Sequence, residues 1–83
     1  MKKYLVDVYL PAAGKHLDVY LPTGKQVGEA IALLVGIAEP LSGGSYKGTP
    51  DSVLLNAQTG EPLNRNDTVY DAGIRNASKL ILI

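Results

Sequence analysis

The sequence contains no cysteine and only one histidine, His16, among its 83 residues. Disulfide bonds and thiolate metal sites are therefore excluded, and one histidine without several converging carboxylates does not form a zinc site. A hydrolytic triad would also have to use His16 as its base, and no serine lies in a Gly-x-Ser-x-Gly nucleophile elbow. We therefore predict no metal, no cofactor and no catalytic residue.

Two further features are scarce, namely clustered positive charge and long apolar runs. Eight Lys and Arg residues balance eight Asp and Glu residues, and Lys2-Lys3 is the only adjacent basic pair. Neutralising nucleic-acid phosphates requires several clustered cations, so no nucleic-acid partner is predicted. No apolar run approaches the ~20 residues of a membrane span. We expect a cytoplasmic protein without direct membrane insertion, held at a membrane only through a protein partner.

Two segments near the N-terminus alternate apolar and polar residues with the two-residue period of a strand. Residues 3–10 and 16–21 each have one apolar face, and the turn residues 11–15 between them, which include Pro11 and Gly14, predict an antiparallel hairpin. Like charges directly opposite each other destabilise a hairpin, so we expect a register that sets Asp7 opposite Tyr20 and Tyr9 opposite Asp18. Asp7 and Asp18 are interpreted as solvated charges rather than a catalytic pair.

A helix follows the hairpin. Thr23 and Gln26 fit a capping box, and Pro40 marks the end of the helix. Between them, apolar residues recur at helical spacing and predict one buried stripe: Val27, Ala30, Ile31, Leu34 and Ala38. Residues 40–51 are rich in Gly, Ser and Pro, and we interpret them as a surface connection rather than a binding loop.

The second half of the chain has shorter elements. Residues 53–55 form a strand and 61–63 a short edge segment, and Thr68 caps a single helical turn that Gly73 ends. The continuous apolar run 79–83 is typical of a strand at the centre of a sheet. This order predicts one α+β domain spanning 1–83, in which a sheet curls over one helix.

The segments 63–74 and 78–82 resemble the ubiquitin pattern, in which a Leu and a polar turn precede Thr-Leu-x-Asp-x-x-Ile and a later Leu-x-Leu strand. The residues at matching spacings are Thr68, Asp71, Ile74, Leu80 and Leu82. The resemblance implies a ubiquitin-like β-grasp fold, with a mixed sheet of four to five strands packed on one helix.

Within this superfamily, the sequence resembles the YukD/EsaB-like family of small ubiquitin-fold proteins, which are linked to type VII (WXG100) secretion in Gram-positive bacteria. The likeness depends on a strand that starts directly after Met1, a variable loop before residues 53–55, and the Asp-Ala-Gly-Ile turn 71–74. It implies a non-catalytic adaptor or regulatory protein that binds membrane components of the secretion machine from the cytosolic side. The family has no catalytic residue to assign.

The sequence departs from ubiquitin-type modifiers and sulfur carriers at its end. Those proteins act through a flexible C-terminal Gly-Gly, whereas this sequence ends with Leu80-Ile81-Leu82-Ile83 inside a predicted strand. We therefore expect neither conjugation nor sulfur transfer. A regulatory domain or subunit of a larger multidomain enzyme complex is the alternative function.

The candidate protein-binding residues are Leu5, Leu54, Ile81 and Ile83. If Leu80 and Leu82 face the helix, then Ile81 and Ile83 face away from it, because successive side chains of a strand alternate. Leu5 lies on the same outward face, and Leu54 joins it if its two neighbours point inward. Clustered exposed aliphatic side chains usually mark an interface. Binding of a partner, formation of a homodimer and coverage by the loop 40–51 remain open.

Overall fold

The computed structural model describes residues 2–83. Four strands and one helix follow each other in the order β1 (Lys3–Leu10), β2 (Lys15–Pro22), α1 (Val27–Leu41), β3 (Leu54–Asn56) and β4 (Lys79–Leu82). The strands form one mixed sheet in the order β2-β1-β4-β3, in which only the β1–β4 pair is parallel. The predicted α+β class is confirmed, with the C-terminal strand inside the sheet.

The hydrophobic core lies between one face of the sheet and the helix. Every residue of the predicted helix stripe is buried there, together with the apolar faces of β1 and β2. Segment 61–63 adds only a bridge between Pro62 and Leu55 at the edge, so the sheet has four strands rather than five. Proline cannot donate to a ladder, and the structure accordingly places Pro62 at the sheet edge.

The predicted register of the hairpin is wrong, because Asp7 lies directly opposite Asp18. Residues 11–14 form the turn, and Leu10 pairs with Lys15 across it. A shift of two residues would draw Pro11 into the ladder, where it has no N–H to donate. The His16 ring also bonds Asp7, with Nδ1 2.9 Å from Oδ1. A shift of two residues leaves every side chain on the same face of the sheet, so the predicted set of core residues does not depend on this register.

The helix begins at Val27, four residues later than the predicted cap at Thr23. Gln26 occupies the N-cap position without a side-chain cap. Two main-chain carbonyls of residues 65–67 take the place of a side-chain cap. Val27 N donates to Asp67 O at 2.8 Å, and Gly28 N donates to Arg65 O at 2.9 Å. This cap comes from residues far along the chain, so a local sequence pattern does not predict it. The helix also continues through Pro40 to Leu41.

The second predicted cap does form, although it starts a hydrogen-bonded turn rather than a helix. Thr68 Oγ1 accepts a hydrogen bond from Asp71 N at 3.0 Å. Gly73 has a φ of 87°, in the left-handed region that glycine adopts without strain. The turn leads into Ile74, whose side chain is buried in the core.

Residues 42–52 pack on the helix side of the molecule and are not a plain surface connection. Tyr46 is only 4% exposed and belongs to the core. Its hydroxyl lies 3.2 Å from Ser52 Oγ. Gly48 approaches Val35 so closely that an added Cβ would overlap the valine side chain. The loop therefore completes the core beside the helix.

Candidate protein-binding face

The face of the sheet that points away from the helix carries the candidate residues. In β4, Leu80 and Leu82 are buried and Ile81 is half-buried, whereas Ile83, which directly follows β4, is 53% exposed. Alternation along a strand places Ile81 and Ile83 together on the outer side. The structure thus brings these two predicted residues onto one surface.

Leu54 is not on this surface, and its assignment there was wrong. Its side chain is fully buried, and it lies opposite Leu82 in the β3–β4 register. Residues directly opposite each other in an antiparallel pair share a face. Leu55, which lies opposite Ile81, is therefore the residue of β3 that points outward. Residues 53–55 are all apolar, so their own pattern does not show which of them faces the core.

Leu5 does lie on the outer face and is 40% exposed, but it is not contiguous with Ile81. Ile81 lies beside Tyr9 in the parallel β1–β4 pair, four residues further along β1 than Leu5. Four residues of strand span about 13 Å. Asp7 and Lys79, which lie in register, occupy the space between them. The expected patch of four residues is therefore divided by a charged row.

The residues that do lie together are Val53, Leu55, Ile81 and Ile83, hereafter the apolar patch. Leu55 lies opposite Ile81, and Val53 exchanges two hydrogen bonds of 3.0 Å with Ile83. Residues directly opposite each other in neighbouring strands have side chains close enough to touch. Tyr9 and Pro62 lie at its two lateral margins. The patch is thus a continuous aliphatic surface without a charged group.

The loop does not cover this patch. Residues 42–52 run along the helix side, where Gly48 contacts Val35 and Tyr46 enters the core. The helix side and the outer side are opposite faces of the sheet. The alternative in which this loop covers the outer face is therefore wrong. Partner binding and self-association remain the two ways in which the patch would be buried.

The polar groups near the patch form ordinary surface pairs. The His16 side chain is 63% exposed, bonds Asp7 and stacks on Tyr9 with ring centroids 4.7 Å apart. Among residues 2–83, no three side chains of the metal-ligating types converge. Over the same residues, no buried side-chain nitrogen or oxygen lacks a hydrogen-bond partner. Within that range, no helix has the length and hydropathy that a membrane crossing requires.

Several solved structures share this arrangement of strands and helix. The EccD5 ubiquitin-like domain from Mycobacterium xenopi superposes with a TM-score of 0.81 at 16% identity, covering 100% of this chain and 94% of that one. The ubiquitin-like domain of the Mycobacterium tuberculosis type VII secretion system protein ECCD1 gives 0.69 at 17% identity, covering 100% and 99%. The chain has the ubiquitin-like fold.

Another ubiquitin-like neighbour is ATBAG1, whose structure was solved in complex with HSP70. It superposes with a TM-score of 0.74 at 15% identity, covering 96% of this chain and 39% of that one. No protein-family model matches the sequence, and no curated protein matches it significantly. At these identities the likeness establishes the fold of this ubiquitin-like domain and not its partner.

Two residues of the apolar patch, Val53 and Leu55, were missed in the sequence interpretation. The signal that would have found them is the pairing of β3 with β4, because Leu82 was already assigned to the core. A residue opposite Leu82 must also be buried, which reverses the assignment of the whole strand. In this ubiquitin-like domain, the pairing of β3 with β4 therefore determines which residues of β3 face the core.

Proposed function

We propose that this ubiquitin-like domain, spanning 1–83, is a non-catalytic adaptor of a type VII secretion system that binds a protein partner through the apolar patch. The single observation behind the proposal is the apolar patch itself, four adjacent aliphatic side chains on the outer side of the β3–β4 pair, of which Ile83 is 53% exposed and the other three are half-buried. Contiguous apolar surface of this kind is typical of binding sites. The partner is a membrane component of the secretion machine, contacted from its cytoplasmic side.

The choice of a secretion system is supported by the two structural neighbours from mycobacterial EccD proteins, one of which is described as a type VII secretion system protein. It is also supported by the resemblance to the YukD/EsaB-like family. The adaptor role is supported by the surface chemistry, because the patch offers burial of apolar area and no reactive group. Full burial of an aliphatic side chain is worth about 1.5–3 kcal/mol.

The test is a pull-down of detergent-solubilised type VII membrane proteins from the source organism by the tagged chain. Ile83→Asp should abolish capture, because a carboxylate would have to be buried in the interface. Leu41→Asp is the matched control, since Leu41 on the helix is 52% exposed and Ile83 is 53% exposed. Circular dichroism should remain native for both variants.

Two results would contradict the proposal. One is that the native chain captures no type VII component, and the other is that Ile83→Asp captures as much as the native chain. Light scattering on the native chain and on Ile83→Asp separates the homodimer from partner binding. A dimer that the variant converts to a monomer would assign the apolar patch to self-association instead.

A further inference from the structure

The two edges of the sheet differ in what pairs with them. The strand order leaves β2 and β3 as the edge strands. Segment 61–63 covers the β3 edge with two main-chain hydrogen bonds of 2.9 Å, and its central residue, Pro62, has no N–H. No segment among residues 2–83 pairs with the outer edge of β2, which is eight residues long. The described sheet therefore has one open edge.

The hydrogen bonds of β1 show which main-chain groups lie on this open edge. Leu5 and Asp7 direct their main-chain groups toward the β4 side, where Asp7 N donates to Ser78 O at 2.9 Å. Opposed residues of an antiparallel pair exchange both hydrogen bonds or neither, in alternation. The residues of β2 whose N–H and C=O groups point outward are therefore His16, Asp18 and Tyr20. No main-chain hydrogen bond within residues 2–83 uses these six groups.

An open edge with this composition is suited to pairing with another strand. The inward-facing residues of β2 that belong to the core are all apolar: Leu17, Val19 and Leu21. A strand with one apolar face and a row of unpaired main-chain groups is a template for strand addition. The β2 strand of a second copy has the same properties, so two copies could extend the sheet across a twofold axis.

Antiparallel pairing of two β2 strands has one register that joins all three outward residues of each copy. It sets His16 opposite Tyr20 of the second copy and Asp18 opposite its own counterpart, with about 5.5 Å between the two Cα atoms. A shift of two residues in either direction loses a pair. It brings in either Gly14, whose N–H already bonds in the turn, or Pro22, which has no N–H. The best-paired register therefore places two carboxylates face to face.

The charges around Asp18 do not neutralise that contact. Asp7 lies opposite Asp18 in the same copy, and its own neighbours are Lys79, in register on β4, and His16. Lys3 lies four residues from Asp7 along β1, about 13 Å away. Within residues 2–83, no ion pair or side-chain hydrogen bond involves Asp18. Because like charges at opposed positions repel, the Asp18 carboxylate also lowers the stability of its own domain.

We propose that Asp18 closes the open edge of β2 to a second copy of this chain. Its carboxylate meets an identical charge whenever two such edges pair in their best register, so the main-chain groups of the edge stay unpaired in solution. The unfavourable contact with Asp7 is the cost of this protection. The inference goes beyond the proposed function, because β2 is the edge opposite to β3 and shares no residue with the apolar patch.

The test compares two variants that each remove one carboxylate of the opposed pair. Asp18→Thr places a neutral residue of high strand propensity on the edge, and should strengthen self-association by at least about tenfold. Asp7→Thr is the matched control, since it changes the net charge equally but lies on β1, which is paired on both sides. It should associate no more than the native chain. Sedimentation equilibrium at up to about 1 mM chain measures the dissociation constants.

A third variant separates self-repulsion from the mere loss of the aspartate. In Asp18→Lys, two ammonium groups would meet in the same register, so this variant should associate no more than the native chain. Amide hydrogen exchange locates the contact. In the associated Asp18→Thr chain, the amides at positions 16, 18 and 20 should exchange at least about tenfold more slowly than in the dilute chain.

The proposal is overturned if Asp18→Thr associates no more strongly than the native chain, or if Asp7→Thr or Asp18→Lys associates as strongly as Asp18→Thr. Association without slower exchange at positions 16, 18 and 20 would also overturn it. Adding Ile83→Asp to Asp18→Thr distinguishes this inference from the proposed function. Association that persists in the double variant supports pairing through the β2 edge, whereas its loss would assign the contact to the apolar patch.

Discussion

The two sides of the sheet differ in what covers them. On the inner side, Leu80 and Leu82 of β4 pack under the helix and under the loop that carries Tyr46. On the outer side, Ile81 of β4 is half-buried, and Ile83, the residue after β4, is 53% exposed. The types of these four residues do not distinguish the sides, because all four are Leu or Ile. Their difference shows that aliphatic residues one position apart on the same strand can be buried in the core or left on the surface.

The largest expected effect comes from truncating one aliphatic residue on each side of the sheet and comparing the two losses of stability. Leu82→Ala should lower the free energy of unfolding by about 2–5 kcal/mol, because it opens a cavity in a fully buried position. Ile83→Ala should lower it by no more than about 0.5 kcal/mol, since the side chain is half in solvent. Urea denaturation of both variants measures the contrast. Similar losses would mean that the outer side is packed as tightly as the inner one.

A smaller effect is expected where the loop covers the inner side. Gly48→Ala should destabilise the fold by about 1–3 kcal/mol, because the new methyl group would overlap Val35. Val35→Ala should make room for it, so the double variant should lose less than the sum of the two single variants. Thermal or urea unfolding of the four proteins measures this coupling. Additive losses would place the loop away from the helix.

The smallest effect is expected at the rim of the outer side. Ala77 has a φ of 68°, a left-handed conformation that strains a residue with a Cβ, and its N–H donates to Leu5 O at 2.8 Å. Ala77→Gly should stabilise the fold by about 0.5 kcal/mol, since the relief of strain exceeds the added entropy of the unfolded chain. Urea denaturation measures it. A clear loss of stability would show that the Ala77 methyl group has a packing role.

Much of the fold could be predicted because its signals are local or periodic. The alternation in β1 and β2, the apolar stripe of the helix, and the Thr68 cap with Gly73 each depend on a few neighbouring residues. The helix start and the role of Tyr46 could not be predicted in this way. Both depend on contacts with remote segments, because Arg65 and Asp67 cap the helix and Tyr46 is buried in a core formed by the helix and the strands.

The candidate site was predicted only in part. Ile81 and Ile83 follow from alternation along β4, but the partners of Ile81 depend on register. Pairing with β3 replaced Leu54 by Leu55, and the parallel pairing with β1 set Tyr9 rather than Leu5 beside Ile81. Register is a relation between two strands. It cannot be predicted from residues 53–55 alone, because all three are apolar and show no alternation.

The class of fold, the buried stripe of the helix and the place of residues 79–82 in the sheet can be inferred from the order of the amino acids, because periodicity along one segment is a property of that segment. The set of residues that share the outer face, and the position of Asp7 opposite Asp18, follow from the folded structure alone. These are distances between segments remote in sequence, and they arise when turn geometry and core packing fix the strands against each other.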